Sequence, residues 1–265
     1  MSKPRLCFTL LYADGSFHLS RNFNLQAVGD FEWLMDNYEF NSIVRSIDEL
    51  IILNVSRSDI DWPDFLGMVR KLVRQCFMPV AIGGGISSLD NARHLFENGA
   101  DKIVLNSAFF YSQGMVSELA SQYGSQSIVA SLDFKRNEAG IAEVFSGRGE
   151  VNTGKNLVDA ILRVKAIGAG ELYLTSIDRD GTGMGYDLLA LQEAYMTCDL
   201  PIIAAGGADT TERLIEGVQS GFASGVTTSH LFNFMCDGLQ YARKELISSG
   251  IPLSNWSFEG INYVD

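Results

Sequence analysis

Apolar and polar positions along the chain fall into two alternating patterns. Short apolar runs rich in β-branched residues recur at about 5–11, 49–54, 78–83, 102–106, 126–133, 171–176, 201–205 and 223–228. Continuous runs of this length predict strands buried on both faces. Between them lie helix-length amphipathic stretches. "DNARHLFENG" (90–99) and "TTERLIEGVQSG" (210–221) each begin on a residue able to cap a helix and end on glycine. Eight strand–helix units predict a closed parallel (β/α)8 TIM barrel, in which chemistry sits at the strand C-terminal ends and the loops that follow. No composition break or low-complexity linker interrupts the chain, so one domain over residues 1–265 is expected.

The pattern repeats. With a shift of 122 residues, which carries Cys76 onto Cys198, "CFMPVAIGGGISSLDNARHLFENGADKIVLNSAFF" lies over "CDLPIIAAGGADTTERLIEGVQSGFASGVTTSHLF" without a gap. Pro79 meets Pro201, Gly84-Gly85 meet Gly206-Gly207, and Ser107 meets Ser229. The same shift brings Glu49 onto Glu171 and Leu11 onto Asp133. One offset held over several segments predicts two copies of a half-barrel.

The repeated segments carry the first candidate chemistry. "GGGI" (83–86) follows the third strand and "LNSA" (105–108) the fourth; their mates, "AGGA" (205–208) and "TTSH" (227–230), follow the seventh and eighth. Glycine permits close backbone approach and positive φ, so peptide N–H groups can face an anion. Gly84, Gly85, Asn106 and Ser107 form one candidate phosphate cradle, and Gly206, Gly207, Thr228 and Ser229 the other. A pair related by a pseudo-twofold suits a ligand with phosphate at both ends. The plain alternative is a set of tight turns.

Composition changes this picture little. The 265 residues carry a net charge of −12, with 46% hydrophobic and 20% charged residues. That balance argues against nucleic acid or an anionic membrane as a partner, yet allows a phosphorylated small molecule held by backbone amides. The start, "MSKPRLCF", shows no signal peptide, no run of 18 apolar residues exists, and a cytoplasmic protein is expected. Cys7, Cys76, Cys198 and Cys236 are far apart, as reduced thiols would be. His18, His94 and His230 have no metal-ligand spacing, so neither a metal nor a cofactor is expected. His94 reads as a surface residue. His230 could approach a phosphate, and His18 could serve as a replacement catalytic group. The segment 133–154, with Lys135, Arg136 and Arg148, could cover the site or simply carry solvated charge. "FEWLMDNYEF" (31–40) reads as helix core and surface.

Five strings, "GGGISSLDNARHLFENGADKIVLNSA", "GSQSIVASLDFKR", "NTG", "GAGELYLTSIDRDGTGMGYD" and "PIIAAGGA", resemble the cyclase subunit of imidazole glycerol phosphate synthase from about Arg5 to about Pro252. The resemblance implies a glutaminase subunit docked on the strand N-terminal face. Ammonia would pass through the barrel and attack a bisphosphorylated ribulosyl-formimino substrate, with two carboxylates as acid and base. It implies catalytic roles for Asp180, Asp133 and Thr175. It also implies an ammonia gate made of Arg5, Glu49, Lys102 and Glu171, which could alternatively be ordinary strand-edge charges. Asp101 fits the docking face.

The chain departs from the pattern at four positions. Leu11 stands where the family has its strand-1 carboxylate, Leu19 where it has a lysine, Asn54 where it has an aspartate, and Ala205 where it has a serine. Leucine transfers no proton, and neighbouring strand residues such as Tyr12 face the other way. An aliphatic residue at Leu11 and the end "SSGIPL" are similar to relatives associated with amidated sugars of bacterial surface polysaccharides. Those are thought to supply ammonia beside a glutaminase and a sugar amidotransferase. Three readings follow: an ammonia-conducting barrel in such a system, a true cyclase with rearranged groups, and a silent barrel that activates a glutaminase.

Overall fold

The computed structural model describes residues 3–38, 43 and 45–254. Its strands are β1 (Arg5–Ala13), β2 (Ser16–Arg21), β3 (Asn24–Gly29), β4 (Glu49–Asn54), β5 (Val80–Gly83), β6 (Lys102–Leu105), β7 (Ile128–Arg136), β8 (Ala142–Ser146), β9 (Val151–Asn156), β10 (Glu171–Ser176), β11 (Ile202–Ala205) and β12 (Gly225–Thr228). Eight of them pair in parallel in the order β10-β11-β12-β1-β4-β5-β6-β7, and β7 pairs with β10 to close the ring. The fold is the expected (β/α)8 barrel.

Strand parity divides the core into two compartments. Leu6, Phe8 and Leu10 of β1 pack outward among the helices. Cys7 of the same strand joins Ile51, Ala81, Val129, Tyr173 and Ile203 in a separate cluster inside the barrel. The inward positions of β1 are therefore Arg5, Cys7, Thr9 and Leu11, which run from one mouth to the other. Tyr12 belongs to the outer set. It packs against Phe17 and Phe65, and its hydroxyl donates to Asp64 at 2.6 Å. As parity predicts, it cannot stand in for Leu11.

Helices cover the outside as the amphipathic pattern implies, with one shift. The helix Leu89–Glu97 is capped by Ser88, whose Oγ accepts from the Asn91 amide at 3.1 Å, and Asp90 lies in its first turn instead. Thr210 occupies the N-cap of the helix Thr211–Gln219. The helix Phe31–Asn37 covers the start of "FEWLMDNYEF"; residues 39 and 40 lie outside the described residues. Among the described residues no helix is long and apolar enough to cross a membrane.

Two antiparallel hairpins add to the eight barrel strands. β2 and β3 follow β1, and β8 and β9 extend β7. Segment 133–154 therefore has strand structure, and its charges are engaged. Arg136 forms a two-pronged pair with Asp187 at 2.7 and 2.9 Å, and the Lys135 ammonium lies 4.8 Å from the centre of the Phe145 ring. Asp187 also caps the helix Leu188–Thr197. Burial alone would raise its pKa, but Arg136 holds it below the usual carboxylate range.

At the strand N-terminal end, buried Arg243 grips both oxygens of buried Asp48 at 3.1 Å, and Asp48 also accepts from the Leu6 amide at 2.9 Å. This pair ties the last helix to β1 and β4. Removing one partner strands the other charge in the core, which costs about 3–5 kcal/mol. Asp48→Ala should therefore lose stability of that size in chemical denaturation, and a loss below about 1 kcal/mol would contradict it.

Candidate active site

The strand C-terminal mouth opens into a cavity of about 300 Å³. Strand ends bring Asp133 and Thr175 to its wall, and the turn after β10 brings Asp180. Both glycine turns border it, with Asn106, Ser107, Thr228 and Ser229 beside them. Every predicted residue of the C-terminal site thus reaches one cavity. The glycines are required there. Gly84 has φ +95° and a Cβ would fall 2.0 Å from the Asn54 carbonyl oxygen; its mate Gly206 has φ +82° and would meet the Ser176 carbonyl oxygen at 2.7 Å.

Asp133 is held by three neighbours. Asn106 Nδ2 donates to it at 3.0 Å, Ser131 Oγ at 3.2 Å, and Thr175 also donates to it. Burial pushes its carboxyl up to about 7, and the charge of Asp180 adds to that, against the two hydroxyl donors. Burial raises the Asp180 pKa too, opposed by a hydrogen bond from Ser20 Oγ and one from the Phe23 amide at 3.0 Å. Both partners of Asp180 come from the β2–β3 hairpin, so that hairpin positions the loop that carries it. Thr228 and Ser107 have occupied hydroxyls: Thr228 Oγ1 donates to the Ala208 carbonyl at 2.8 Å, and Ser107 Oγ accepts from the Gly147 amide at 3.2 Å.

The four departures face the same space. Leu11, Leu19, Asn54 and Ala205, where the resemblance implies other side chains, all line the cavity. His18 does not line it, and its Nδ1 lies 3.1 Å from the Ser16 carbonyl oxygen; it is no replacement catalytic group. His230 lines it and accepts from the Asn233 amide at 3.2 Å. His94 is exposed on its helix.

Sequence reading missed Arg57, which lines the rim, pairs with Glu150 and donates to the Phe23 carbonyl. Arg148 in turn donates to the Arg57 carbonyl at 3.1 Å. The signal was present: Arg57 is the repeat mate of Arg179, in "SRSD" against "DRDG".

At the opposite mouth, Arg5, Glu49, Lys102 and Glu171 form a closed ring. Arg5 bridges Glu49 and Glu171, and Lys102 Nζ reaches the same two carboxylates at 2.8 and 2.7 Å. Both glutamates are buried. Burial, reinforced by Glu171, raises the Glu49 pKa against the pull of Arg5 and Lys102. Burial works against the Lys102 ammonium, but the two carboxylates outweigh it and raise its pKa. Asp101, beside the ring, is exposed, and its carboxylate accepts from the Val80 amide at 2.8 Å.

The fold and its two mouths define the class: a (β/α)8 barrel with a carboxylate-bearing cavity at one end and a buried charge ring at the other. The family model described as "Histidine biosynthesis protein" matches residues 29–235, and the chain belongs to that family. It is 42% identical over 257 residues, 97% of this chain and 95% of the relative, to a protein of Parasynechococcus marenigrum (strain WH8102) provisionally named imidazole glycerol phosphate synthase subunit hisF2. It is 37% identical over 206 residues, 78% of this chain and 82% of the relative, to imidazole glycerol phosphate synthase subunit HisF of Chloroherpeton thalassium (strain ATCC 35110 / GB-78).

The Asp133 titration gives a test. Its folded pKa of about 7 lies above the value of about 4 for an unfolded aspartate. Folding therefore takes up a proton between these limits. The carboxyl's contribution to stability is complete below about pH 4 and is lost as pH rises through about 7. Carbon NMR should place the Asp133 midpoint near 7, and Asp133→Asn should flatten the fall in stability across that window. A midpoint below 5 would sink the assignment.

Proposed function

We propose that this barrel receives ammonia from a glutaminase docked on its strand N-terminal face and conducts it toward the cavity. The system is a glutamine-dependent amidation of a surface-polysaccharide sugar, completed by a separate sugar amidotransferase. The observation that carries the reading is the intact ring at one mouth beside the loss of the strand-1 carboxylate at the other. A ring with two positive and two negative groups is neutral overall and repels cations no more than anions. The two glycine cradles keep the cavity suited to a phosphorylated small molecule, which the turns would hold at both ends. The relatives are named as subunits of a synthase, which supports a partner chain.

A second reading has an observation of its own. Asp133 near neutrality could act as acid or base, so a cyclase with rearranged groups is the alternative. Turnover of the bisphosphorylated histidine precursor with ammonium salt separates the two. Losing one of two acid–base groups lowers the rate about 10²–10⁴-fold. The protein should therefore turn over at least a hundredfold more slowly than an authentic cyclase, and Leu11→Asp with Leu19→Lys should raise any trace rate. Turnover within tenfold of an authentic cyclase supports the alternative.

The conduit itself is tested at the ring. Lys102→Ala leaves two carboxylates facing Arg5 alone. With the glutaminase present, this variant should keep the fold and the complex yet release more glutamate per amidated product, with free ammonium restoring product formation. An unchanged ratio in both Lys102→Ala and Arg5→Ala would reduce the ring to structural charge.

A further inference from the structure

The barrel interior between the ring and the cavity is apolar except at one level. There Tyr173 of β10 points inward, and its hydroxyl lies 3.1 Å from Thr9 Oγ1 of β1. Thr9 Oγ1 lies 2.8 Å from Thr227 Oγ1 of β12. β10 and β1 are not neighbours: β11 and β12 stand between them. The Tyr173 side chain therefore reaches through the barrel interior to a strand that is not its neighbour. It is buried on the side of Cys7, Ile51 and Val129, and it borders the cavity on the other.

Packing alone does not account for this hydroxyl chain. The repeat mate of Tyr173 is Ile51, in the same interior layer, so an aliphatic side chain fills the equivalent place in the other half. Phenylalanine would fill the same space without a buried hydroxyl, and a buried hydroxyl is costly unless paired. Here three hydroxyls are paired with one another, on residues that all line the cavity.

We propose that Tyr173, latched to Thr9, is an inner gate that shuts the barrel axis between the charged ring and the cavity. Opening breaks one hydrogen bond and swings the phenol toward the cavity. A small neutral solute that both donates and accepts hydrogen bonds can exchange with the Tyr173 and Thr9 hydroxyls as it passes. An ion cannot, because the apolar layer beneath offers it no partners. Ammonia as the solute rests on the proposed function; the closure does not.

A reporter is built in. Cys7 lies on β1 between Arg5 and Thr9, fully buried between the ring and the latch, with burial raising its thiol pKa. The test is labelling of Cys7 in the intact protein, followed by mass spectrometry of its peptide. One reagent is small and neutral, methyl methanethiosulfonate; the other is bulky, fluorescein maleimide. Tyr173→Phe keeps the ring and removes only the latch. The small reagent should label Cys7 about tenfold faster in this variant than in the natural protein, the factor expected from one net hydrogen bond, while the bulky reagent keeps its rate. Thr9→Val should behave alike. An unchanged rate with the small reagent overturns the gate. Equal acceleration of both reagents also overturns it, since that marks global loosening. The measurement needs no glutaminase, so a missing partner would defeat the ammonia reading and leave this result standing.

Discussion

Inward space inside an eight-stranded barrel is the constraint on which the rest depends. Closure fixes which residues face the axis, because successive strand residues point to opposite sides. Once Arg5 faces in, so do Cys7, Thr9 and Leu11. The same parity lines up Glu171, Tyr173 and Thr175 on β10, and Val129, Ser131 and Asp133 on β7, whose registers match residue for residue. The ring, the interior layer, the hydroxyl latch and the cavity wall are thus four levels of one stack. A one-residue slip of any strand would empty all of its levels together.

Much of this was legible in the sequence for the same reason. Buried strands read as apolar runs, and the repeat fixed their correspondence, so the barrel and both glycine turns followed from position, while the charged residues of the two mouths followed from the family resemblance. The turns were legible because a side chain at Gly84 or Gly206 would collide with backbone, so only glycine serves. What could not be read was contact between segments distant in the chain. The β2–β3 hairpin alternates, with Phe17, Leu19, Leu25 and Ala27 against His18, Ser20 and Gln26, but its role in holding Asp180 rests on one serine hydroxyl and one backbone amide, neither of which marks its partner in the sequence. The Asp90 cap failed by two residues because Ser88 offers its hydroxyl in the extended conformation that an N-cap needs. The reach of Tyr173 to β1 required knowing that the sheet closes.

The ring is hard to explain as a source of stability. Desolvating four charged groups is expensive, and well-packed apolar residues commonly do as well or better in such positions. Each carboxylate here contacts both cations, so the arrangement is satisfied internally, but satisfaction only offsets the cost. A floor chosen for stability alone would resemble the layer above it, built of Ile51, Ala81, Val129 and Ile203. Retention of four mutually dependent charges therefore points to a requirement at that mouth which packing does not supply.

The opposite mouth has moved the other way, with a consequence for the groups that remain. Leu11 and Leu19 add apolar wall where the family resemblance implies a carboxylate and an ammonium. Removing that lysine takes away a cation that would lower neighbouring carboxyl pKa values, and removing the carboxylate takes away an anion that would raise them. Those two effects partly cancel, whereas the loss of solvation acts in one direction only. Burial is the largest influence on both Asp133 and Asp180, and both are raised. The substitutions thus leave a cavity with a proton-exchanging carboxyl near neutrality and no ionisable partner on strand β1. That is a poor arrangement for a two-residue acid–base relay. It suits a site that binds an anion through backbone amides, where a protonated Asp133 would add a donor instead of a repelling charge.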